Sequence, residues 1–427
     1  MTSKEEMTLT STLQTAALIL GLLFRFFSAW FLIVALFFPK KPPAYPRRAP
    51  ALRFACLLPA RNEEAVIGRT VGRLLEQNYP PELFDVYVIP NNCTDGTEAA
   101  ARAAGAKILR CAGTVRCKGD ALRQAFARLL AGRHDAFCVF DADNLVDPDF
   151  LARMNDAFLA GARVAKGRLR AQNPYDSAVA GCYALYHRMT DVFFNRPRAA
   201  LGLSARLVGT GFAVHRDVLV RAGGWRTRTI AEDAEFAAVC AEAGEKVWWV
   251  PEAVTRDESP VSFRVSLTQR KRWCSGIMSV AELHAPRLLR AVRDGRGLRA
   301  ADVLLFLCLP FLQAFSLLPA LLLLAAAVCG GTLPAALASL WPAAAAGLTG
   351  MTLFGLVLAL SEKLDVKRAL PGILLFPVFM ASWMPLQVAS LVRRTRGWKE
   401  IRHGNGRQAA VPAPLRLPEA EPARRIS

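Results

Sequence analysis

The sequence AFCVFDAD at residues 136–143 decides the fold of this chain. Its apolar part, Ala136–Phe140, predicts a buried strand, and Asp141 and Asp143 follow at the end of that strand. Apolar runs of similar length, each followed by an amphipathic helix, come earlier in the chain. Repeated strand–helix–strand order predicts a parallel sheet that is covered by helices on both faces.

The earlier units of this pattern occupy residues 54–131. Strands are predicted at Phe54–Leu58, Asp85–Ile89 and Ala106–Leu109, and helices at Glu64–Gln77, Asp95–Gly105 and Lys118–Ala131. Ligands of such sheets bind beyond the carboxyl ends of the strands. Polar motifs at 59–64, 90–97 and 141–143 all follow predicted strands, so we expect them to share one site.

Long apolar runs lie on both sides of this region, and 53% of the 427 residues are hydrophobic. Residues 11–38 form a run long enough to cross a hydrocarbon core of about 30 Å. This run lacks the basic lead-in and the cleavage site of a signal peptide. The chain therefore predicts a transmembrane helix at 11–38, a domain at 50–280 and a membrane region at 302–392 with about three hydrophobic segments.

The net charge of +19 is concentrated beside the apolar runs. The two basic groups are Lys40, Lys41, Arg47, Arg48 and Arg53, and Arg287, Arg290, Arg293, Arg296 and Arg299. Basic residues at the ends of spans mark the cytoplasmic side and meet anionic lipid headgroups. We therefore expect a multi-pass protein of the cell membrane with a cytoplasmic domain, a basic interfacial helix at 284–300 and no nucleic-acid partner. Residues 408–427, rich in proline, predict a disordered tail.

Asp141 and Asp143 are candidate metal ligands. Two carboxylates at positions i and i+2 after a strand can point toward one cation, and Mg²⁺ or Mn²⁺ takes oxygen ligands from carboxylates, phosphates and water. A solvated turn explains the same residues, since Asp147-Pro148-Asp149 follows. The position directly after an apolar strand favours the metal site.

Glu232 and Asp233 form a second acidic pair, and Glu235 follows closely. A carboxylate within hydrogen-bond reach of an attacking hydroxyl can act as a general base. The same cluster at the start of a helix is also explained as a cap favoured by the helix dipole. Asp233 is the candidate base, with Glu232 and Glu235 as alternatives.

The sequence QRKRW at residues 269–273 places Gln269, Arg272 and Trp273 on one face of a predicted helix. An indole can stack on a sugar ring, while Gln and Arg side chains can donate hydrogen bonds to hydroxyl or phosphate oxygens. An amphipathic helix at the membrane surface explains the same composition, because Trp and Arg favour that depth.

Taken together and in this order, the motifs resemble those of the membrane-embedded inverting family-2 glycosyltransferases, the group of cellulose, chitin, hyaluronan and poly-N-acetylglucosamine synthases. The resemblance covers roughly residues 50–280. It implies an α/β fold: a GT-A-like, Rossmann-type parallel-sheet domain in the cytoplasm, flanked by transmembrane helices.

The resemblance also implies roles for individual residues. Nucleotide-sugar binding is implied for Pro59, Ala60, Asn62, Glu63, Asn92, Asp95, Lys118 and Asp141. Acceptor binding is implied for Gly209, Thr210, Gly211, Gln269, Arg272 and Trp273, and base catalysis for Asp233 beside Glu232. Helix capping explains Asp95 as well. Asn91 departs from the family pattern, which commonly has an aspartate there.

The implied function is transfer of a sugar with inversion from a nucleotide-sugar donor, by resemblance a UDP-sugar, to a growing β-linked polysaccharide. Mg²⁺ or Mn²⁺ is the implied cofactor. Ceramide glucosyltransferases resemble this arrangement too, so addition of a single sugar to a lipid is an alternative. An inactive membrane scaffold that retains the fold is a further alternative, and the intact Asp141, Asp143, Asp233 and Gln269 argue against it.

The apolar runs carry few polar residues beyond Gln313, Ser316, Ser382 and Gln387. Such runs do not predict a polar channel for a polysaccharide within this chain. If the product is a polymer, we expect a partner subunit or an oligomer to contribute to its export.

Overall fold

The computed structural model describes residues 3–395, so the tail predicted at 408–427 lies outside the described residues. The strands are β1 Phe54–Ala60, β2 Phe84–Pro90, β3 Lys107–Ile108, β4 Ala136–Val139, β5 Leu145–Val146, β6 Val164–Ala171, β7 Phe212–His215 and β8 Val247–Asp257. They form one sheet with the order β3-β2-β1-β4-β7-β6-β8-β5.

Helices surround the sheet and extend beyond it. They are α1 Ser3–Ala35, α2 Glu64–Leu75, α3 Thr97–Ala103, α4 Lys118–Leu129, α5 Phe150–Leu159, α6 Ala178–Thr190, α7 Arg196–Ala200, α8 Arg216–Arg221, α9 Glu232–Glu242, α10 Phe263–Ala291, α11 Gly297–Phe315, α12 Leu317–Cys329, α13 Leu333–Ser361, α14 Val366–Ala381 and α15 Trp383–Val392. A 3₁₀ turn at Pro81–Leu83 and π-helical turns at Asp191–Asn195 and Val292–Arg296 complete the described elements.

The predicted parallel sheet is confirmed for the first half of the domain. Strands β1, β2, β3 and β4 are parallel neighbours, and β1 is buried on both faces. Cys56 and Leu58 enter one hydrophobic cluster, while Ala55 and Leu57 enter the other. The alternation of side chains across a strand explains why a continuous apolar run is needed here.

The second half of the sheet is mixed, which the predicted parallel order did not include. Strand β7 is antiparallel to both β4 and β6, and β5 is antiparallel to β8. Strand β6 carries Lys166, Arg168 and Arg170, so its sequence lacks the apolar run that identified the earlier strands. The sheet nevertheless continues beyond β4, because β7 pairs with β4. This pairing brings the residues before Phe212 beside Asp141, which follows β4.

Four helical segments of the described chain are long and apolar enough to cross a membrane: Glu5–Ala35, Phe263–Cys329, Leu333–Ser361 and Val366–Val392. The basic helix predicted at 284–300 is not a separate element. Helix α10 continues to Ala291, and the chain then bends at Asp294 and Gly295, where Gly295 has a φ of 83°. Glycine tolerates this left-handed conformation, so the bend separates α10 from the apolar helix α11.

Two buried acidic residues connect the membrane helices to the domain. Asp302 on α11 accepts hydrogen bonds of 2.9 Å from Arg198 Nε and Nη2 and of 2.8 Å from Trp30 Nε1 on α1. Glu362, which follows α13, accepts hydrogen bonds from Arg168 and Arg170 on β6. These contacts fix α1, α11 and α13 relative to the sheet.

Close packing of small residues adds to this docking. Gly181 on α6 lies against Gly372 on α14, and a Cβ added at Gly181 would stand 3.1 Å from the Cα of Gly372. Phe376 and Leu358 pack in the same apolar cluster as Tyr183 on α6. Helix α6 is therefore the part of the domain on which α13 and α14 rest.

Replacing Asp302 by Asn is expected to lower the stability of the protein by about 3–5 kcal/mol, because the Arg198 guanidinium would stay buried without its counter-charge. The two side chains are only 1% and 2% exposed. Chemical unfolding in detergent, followed by tryptophan fluorescence, measures the loss. The exposed Asp294, replaced by Asn, is the matched control, with an expected change within about 0.5 kcal/mol. Equal stability of both variants would contradict a structural role for Asp302.

Candidate active site

A cavity of about 930 Å³ opens at the carboxyl ends of β1, β2 and β4. Its wall includes Pro59 and Glu63 after β1 and Asp141 and Asp143 after β4. Helix starts contribute Lys118 on α4 and Glu232 and Asp233 on α9, and α10 contributes Gln269, Arg272 and Trp273. The motifs that sequence reasoning assigned to one site are therefore brought together around one cavity.

Lys118 connects the strand-end side of this cavity, which includes Asp141, with the side that carries Glu232. Its Nζ donates a hydrogen bond to Asp141 Oδ1 and another, of 2.5 Å, to the carbonyl oxygen of Gly209. The same Nζ lies 3.9 Å from Glu232 Oε1. Burial lowers the pKa of Lys118, but the carboxylates of Asp141 and Glu232 outweigh it, so the pKa is raised overall. Lys118 is a stable cation beside three oxygen atoms.

Gly209 lies in contact with both Lys118 and the acidic pair. A Cβ added to Gly209 would be 3.5 Å from Lys118 Nζ, 3.7 Å from Asp233 Oδ2 and 3.7 Å from Glu232 Oε1. The loop at 209–211 thus holds its backbone directly against the acidic pair.

The acidic pair Glu232 and Asp233 begins α9, as predicted. Burial and the neighbouring Asp233 charge raise the pKa of Glu232 to about 7. Burial also raises the pKa of Asp233, whereas the backbone N–H of Ala234 and the charges of Lys118 and Arg206 favour its ionised form. Adjacent carboxylates oppose each other's ionisation. Asp233 is therefore the better placed of the two to carry the negative charge.

Glu235, the other alternative for the base, has a different environment and does not line the cavity. Its carboxylate accepts hydrogen bonds from the backbone N–H groups of Arg228 and Thr229, and His284 Nε2 on α10 lies 3.7 Å away. Only 2% of its side chain is exposed. Glu235 fixes the loop that precedes the acidic pair to α10.

The predicted face of α10 is confirmed, since Gln269, Arg272 and Trp273 all line the cavity. Tyr183 donates a hydrogen bond of 2.8 Å to Gln269 Oε1. The Trp273 ring contacts Tyr183 edge-on at 6.2 Å and stacks on Trp383 at 6.3 Å. These contacts hold the indole and the amide in place at the cavity wall.

Helix α10 approaches the acidic pair closely because residue 276 is glycine. A Cβ at Gly276 would stand 2.7 Å from Ala231 Cβ, a distance that real Cβ atoms do not adopt. Ala231 directly precedes Glu232. A larger residue at 276 would push α10 away from the acidic pair.

The predicted metal ligands, Asp141 and Asp143, form a pair of carboxylates without a third protein ligand among the described residues. Among residues 3–395, no group of three or more His, Cys, Asp or Glu side chains is arranged to hold a metal ion. Asp141 and Asp143 both line the cavity, and Asp141 is already hydrogen-bonded to Lys118. Mg²⁺ is commonly bound by one or two carboxylates together with substrate phosphates. The two aspartates fit a cation whose remaining ligands come with a phosphorylated substrate.

Several residues with predicted nucleotide or acceptor roles do not line the cavity: Ala60, Asn62, Asn92, Asp95 and Gly211. Asp95 accepts hydrogen bonds from Thr97 and from the N–H of Glu64, which matches the capping alternative. Asn62 and Asn92 adopt left-handed φ values of 57° and 52° and bond to the backbone of Thr94 and Val115. These residues shape the loops of the site, and their contacts with a nucleotide or an acceptor stay predictions.

Sequence reasoning missed many residues of the cavity wall, among them Lys166, His187, Arg206 and Phe306. Lys166 Nζ donates hydrogen bonds to the carbonyl oxygens of Gly167 and Gly211. Burial lowers the pKa of Lys166 to about 8 and that of His187 to about 3. A lysine inside the otherwise apolar start of β6 was the one signal available, because Arg206 lies in an irregular loop and Phe306 in an apolar run.

Comparison with known proteins gives a family match over residues 50–276, described as Glycosyltransferase like family 2. The Probable glycosyltransferase YdaM of Bacillus subtilis is 28% identical over 52% of this chain and 55% of its own length. The Beta-monoglucosyldiacylglycerol synthase of a Synechocystis species is 28% identical over 52% of this chain and 47% of its own length. The chain thus spans about half the length of these curated relatives.

A solved structure of similar fold is that of the mannosyltransferase PcManGT from Pyrobaculum calidifontis, in complex with GDP-Man and Mn²⁺. Its TM-score is 0.57 at 22% identity, and the match covers 84% of this chain and 99% of that one. This likeness supports the fold.

Replacing Glu235 by Gln is expected to lower the free energy of unfolding by about 1–3 kcal/mol, since buried N–H groups and His284 lose a carboxylate acceptor. Chemical unfolding in detergent measures the change. Glu76, whose side chain is 63% exposed beside Arg73, provides the matched Glu→Gln control, with an expected change within about 0.5 kcal/mol. If Glu235→Gln were as stable as the control, Glu235 would not be fixing the loop before Glu232.

Proposed function

Because this chain belongs to the Glycosyltransferase like family 2, we propose that it transfers a sugar from a nucleotide-sugar donor, with inversion, to a hydroxyl group of an acceptor held at the membrane. The observation that carries this proposal is the convergence of Lys118, Asp141 and Asp233 around Gly209. A cation for the leaving diphosphate and a carboxylate for the attacking hydroxyl lie within one small space.

The donor occupies the strand-end half of the cavity, between Pro59, Glu63, Lys118 and Asp141. Lys118 stabilises the negative charge that develops on the diphosphate as the glycosidic bond breaks. Mg²⁺ or Mn²⁺, held by Asp141 and Asp143, would neutralise further charge on that leaving group. The diphosphate oxygens would replace Asp141 as partners of the Lys118 ammonium group.

Asp233 is the general base of the proposed reaction. The acceptor oxygen forms a bond to the anomeric carbon, the bond from that carbon to the diphosphate oxygen breaks, and the diphosphate leaves with the electron pair. The hydroxyl proton passes to Asp233 as the new bond forms. Attack on the face opposite the leaving group inverts the anomeric configuration.

The acceptor end of the cavity favours a lipid. Ile230, Ile277 and Phe306 line this end, and Phe306 belongs to α11, within a segment apolar enough to cross a membrane. A lipid acceptor would place its headgroup near Asp233 and its acyl chains toward α11. The Synechocystis relative, a Beta-monoglucosyldiacylglycerol synthase by name, is consistent with this acceptor class.

A growing β-linked polysaccharide, the acceptor expected from the sequence, is the second candidate. Gln269 and Trp273 favour it, because both line the acceptor wall and are suited to a sugar ring. The polar side chains of the membrane helices favour the lipid instead. Gln387 donates a hydrogen bond to Gln313, so these two amides bind each other and do not predict a polar channel for a polysaccharide.

The basic residues that flank the membrane helices support a cytoplasmic position for the domain at 50–280, where nucleotide sugars are made available. Arg196 donates hydrogen bonds to the carbonyl oxygens of Lys40 and Pro39, in the segment that follows α1. Anionic lipids on the same side of the membrane complement this charge.

Replacing Asp233 by Asn is expected to reduce the transfer rate about 10²- to 10⁴-fold, because the amide cannot take up the hydroxyl proton. The assay follows labelled sugar from donor to product with protein in lipid nanodiscs. Asp217→Asn on α8 makes the same chemical change at a side chain that is 52% exposed and outside the cavity, and full activity is expected. Transfer by Asp233→Asn at the rate of the wild type would refute the base assignment.

A panel of labelled nucleotide sugars with Mg²⁺ or Mn²⁺ tests the acceptor class. We expect one donor to yield a product that carries a single sugar and extracts with the lipid. A product that lengthens with time and is retained on size exclusion would replace the lipid by the polysaccharide. No transfer from any donor, to lipid or to glycan primers, would refute the proposed function.

A further inference from the structure

Of the six lysine and arginine side chains on the wall of the cavity, Lys118, Lys166, Arg206 and Arg272 differ in what already holds them. Lys118 is bonded to Asp141 and Gly209, and Lys166 is bonded to the carbonyl oxygens of Gly167 and Gly211. Arg206 and Arg272 have no carboxylate within 4 Å in the part of the chain that the structure describes. The acceptor half of the cavity therefore contains two arginine charges that the protein does not neutralise by an ion pair.

Arg206 is the more informative of the two because the side chains in contact with it are neutral, and the Asp233 carboxylate acts on it only from a longer distance. Its Nη1 donates a hydrogen bond of 2.7 Å to the hydroxyl of Tyr186, and its guanidinium lies 5.5 Å from the Phe306 ring centre. His187 beside it is neutral at physiological pH, because burial lowers its pKa to about 3. An arginine presents five N–H donors, and only the bond to Tyr186 uses one of them among residues 3–395.

The remaining donors of Arg206 are not sealed within protein. No N–H group of Arg206 is both buried and without a hydrogen-bond partner, and its side chain forms part of the cavity wall. The remaining N–H groups therefore face the cavity. A guanidinium fork with free donors matches the oxyanions of a phosphate or a carboxylate.

The position of Arg206 separates it from the donor diphosphate. It lies between Tyr186 on α6 and Phe306 on α11, whereas Lys118 and Asp141 lie at the strand ends. Only Leu207 and Val208 separate Arg206 from Gly209, so the Cα atoms of Arg206 and Gly209 lie at most about 11 Å apart. One small headgroup can therefore place a hydroxyl at Asp233 and an acidic group at Arg206.

From this arrangement we infer that the acceptor is an anionic lipid, with a phosphate or carboxylate close to the hydroxyl that receives the sugar, and that Arg206 binds this acidic group. The inference rests on the proposed function and specifies its acceptor. Arg206 thereby distinguishes an acidic headgroup from a neutral one. Phe306 beside it contacts the apolar part of the same lipid.

Transfer assays with matched acceptors test this specificity. Full-length protein in nanodiscs receives short-chain phosphatidylglycerol, short-chain diacylglycerol or free glycerol 3-phosphate, together with the donor that the wild type consumes. We expect the wild type to prefer phosphatidylglycerol over diacylglycerol by about tenfold or more in kcat/KM, the value of a charge-assisted hydrogen bond. Glycerol 3-phosphate used as well as phosphatidylglycerol would identify a soluble anionic acceptor and overturn the lipid part of the inference.

Arg206→Gln is expected to remove that preference by raising the KM for phosphatidylglycerol, with the donor KM little changed. Loss of the charge that favours ionised Asp233 lowers kcat for both lipids alike, so the ratio of the two kcat/KM values is the readout. Arg206→Lys keeps the charge without the fork and should retain part of the preference. Arg102→Gln makes the same change on the surface helix α3, where Arg102 pairs with Glu98, and should behave as wild type. A rise in the donor KM, or an unchanged ratio of kcat/KM between the two lipids, would overturn the role of Arg206.

A binding measurement separates this inference from the proposed function. Radiolabelled short-chain phosphatidylglycerol is added to detergent-solubilised protein without any donor, and the bound fraction is measured for the wild type and Arg206→Gln. Binding that weakens about tenfold in the variant supports the anionic site even where transfer fails. Equal binding by both proteins, or none by the wild type, overturns it even if sugar transfer to a neutral lipid succeeds.

Discussion

The ammonium group of Lys118 is the point on which the candidate site depends. It holds Asp141, the Gly209 carbonyl oxygen and, at 3.9 Å, Glu232 close to one another, although these groups come from three separate elements. Without this cation, buried carboxylates would repel each other across the cavity. In the proposed function the same charge would bind the diphosphate of the donor.

The sequence predicted those site residues whose position follows from a local pattern, either the end of an apolar strand or one face of a helix. The apolar runs that become β1, β2 and β4 each end in a polar motif, and a parallel sheet brings those ends to one edge. Gln269, Arg272 and Trp273 were likewise predictable, since helical spacing alone puts them on one face. Their convergence around one cavity required only that the fold be right.

The rest depended on contacts between residues far apart in the sequence. Strand β6 can carry Arg168 and Arg170 because Glu362, which follows a membrane helix, neutralises both of them. No local sequence pattern reveals such a partner. Glu235 resembled a base in sequence, yet its carboxylate is used by Arg228, Thr229 and His284. Arg206 could not be predicted for the same reason: among residues 3–395 it forms no ion pair within 4 Å, and this is a property of the folded chain.

Arg270 stands between the cavity residues Gln269 and Arg272 but faces the opposite way. It is fully buried and donates hydrogen bonds of 2.9 Å to the Phe379 carbonyl oxygen and to Ser382 Oγ at the end of α14. One turn of α10 therefore carries both a wall of the cavity and an anchor for a membrane helix. A change in the tilt of α14, as a thicker or thinner bilayer would impose, would therefore be transmitted by this anchor to the helical turn that carries Gln269 and Trp273.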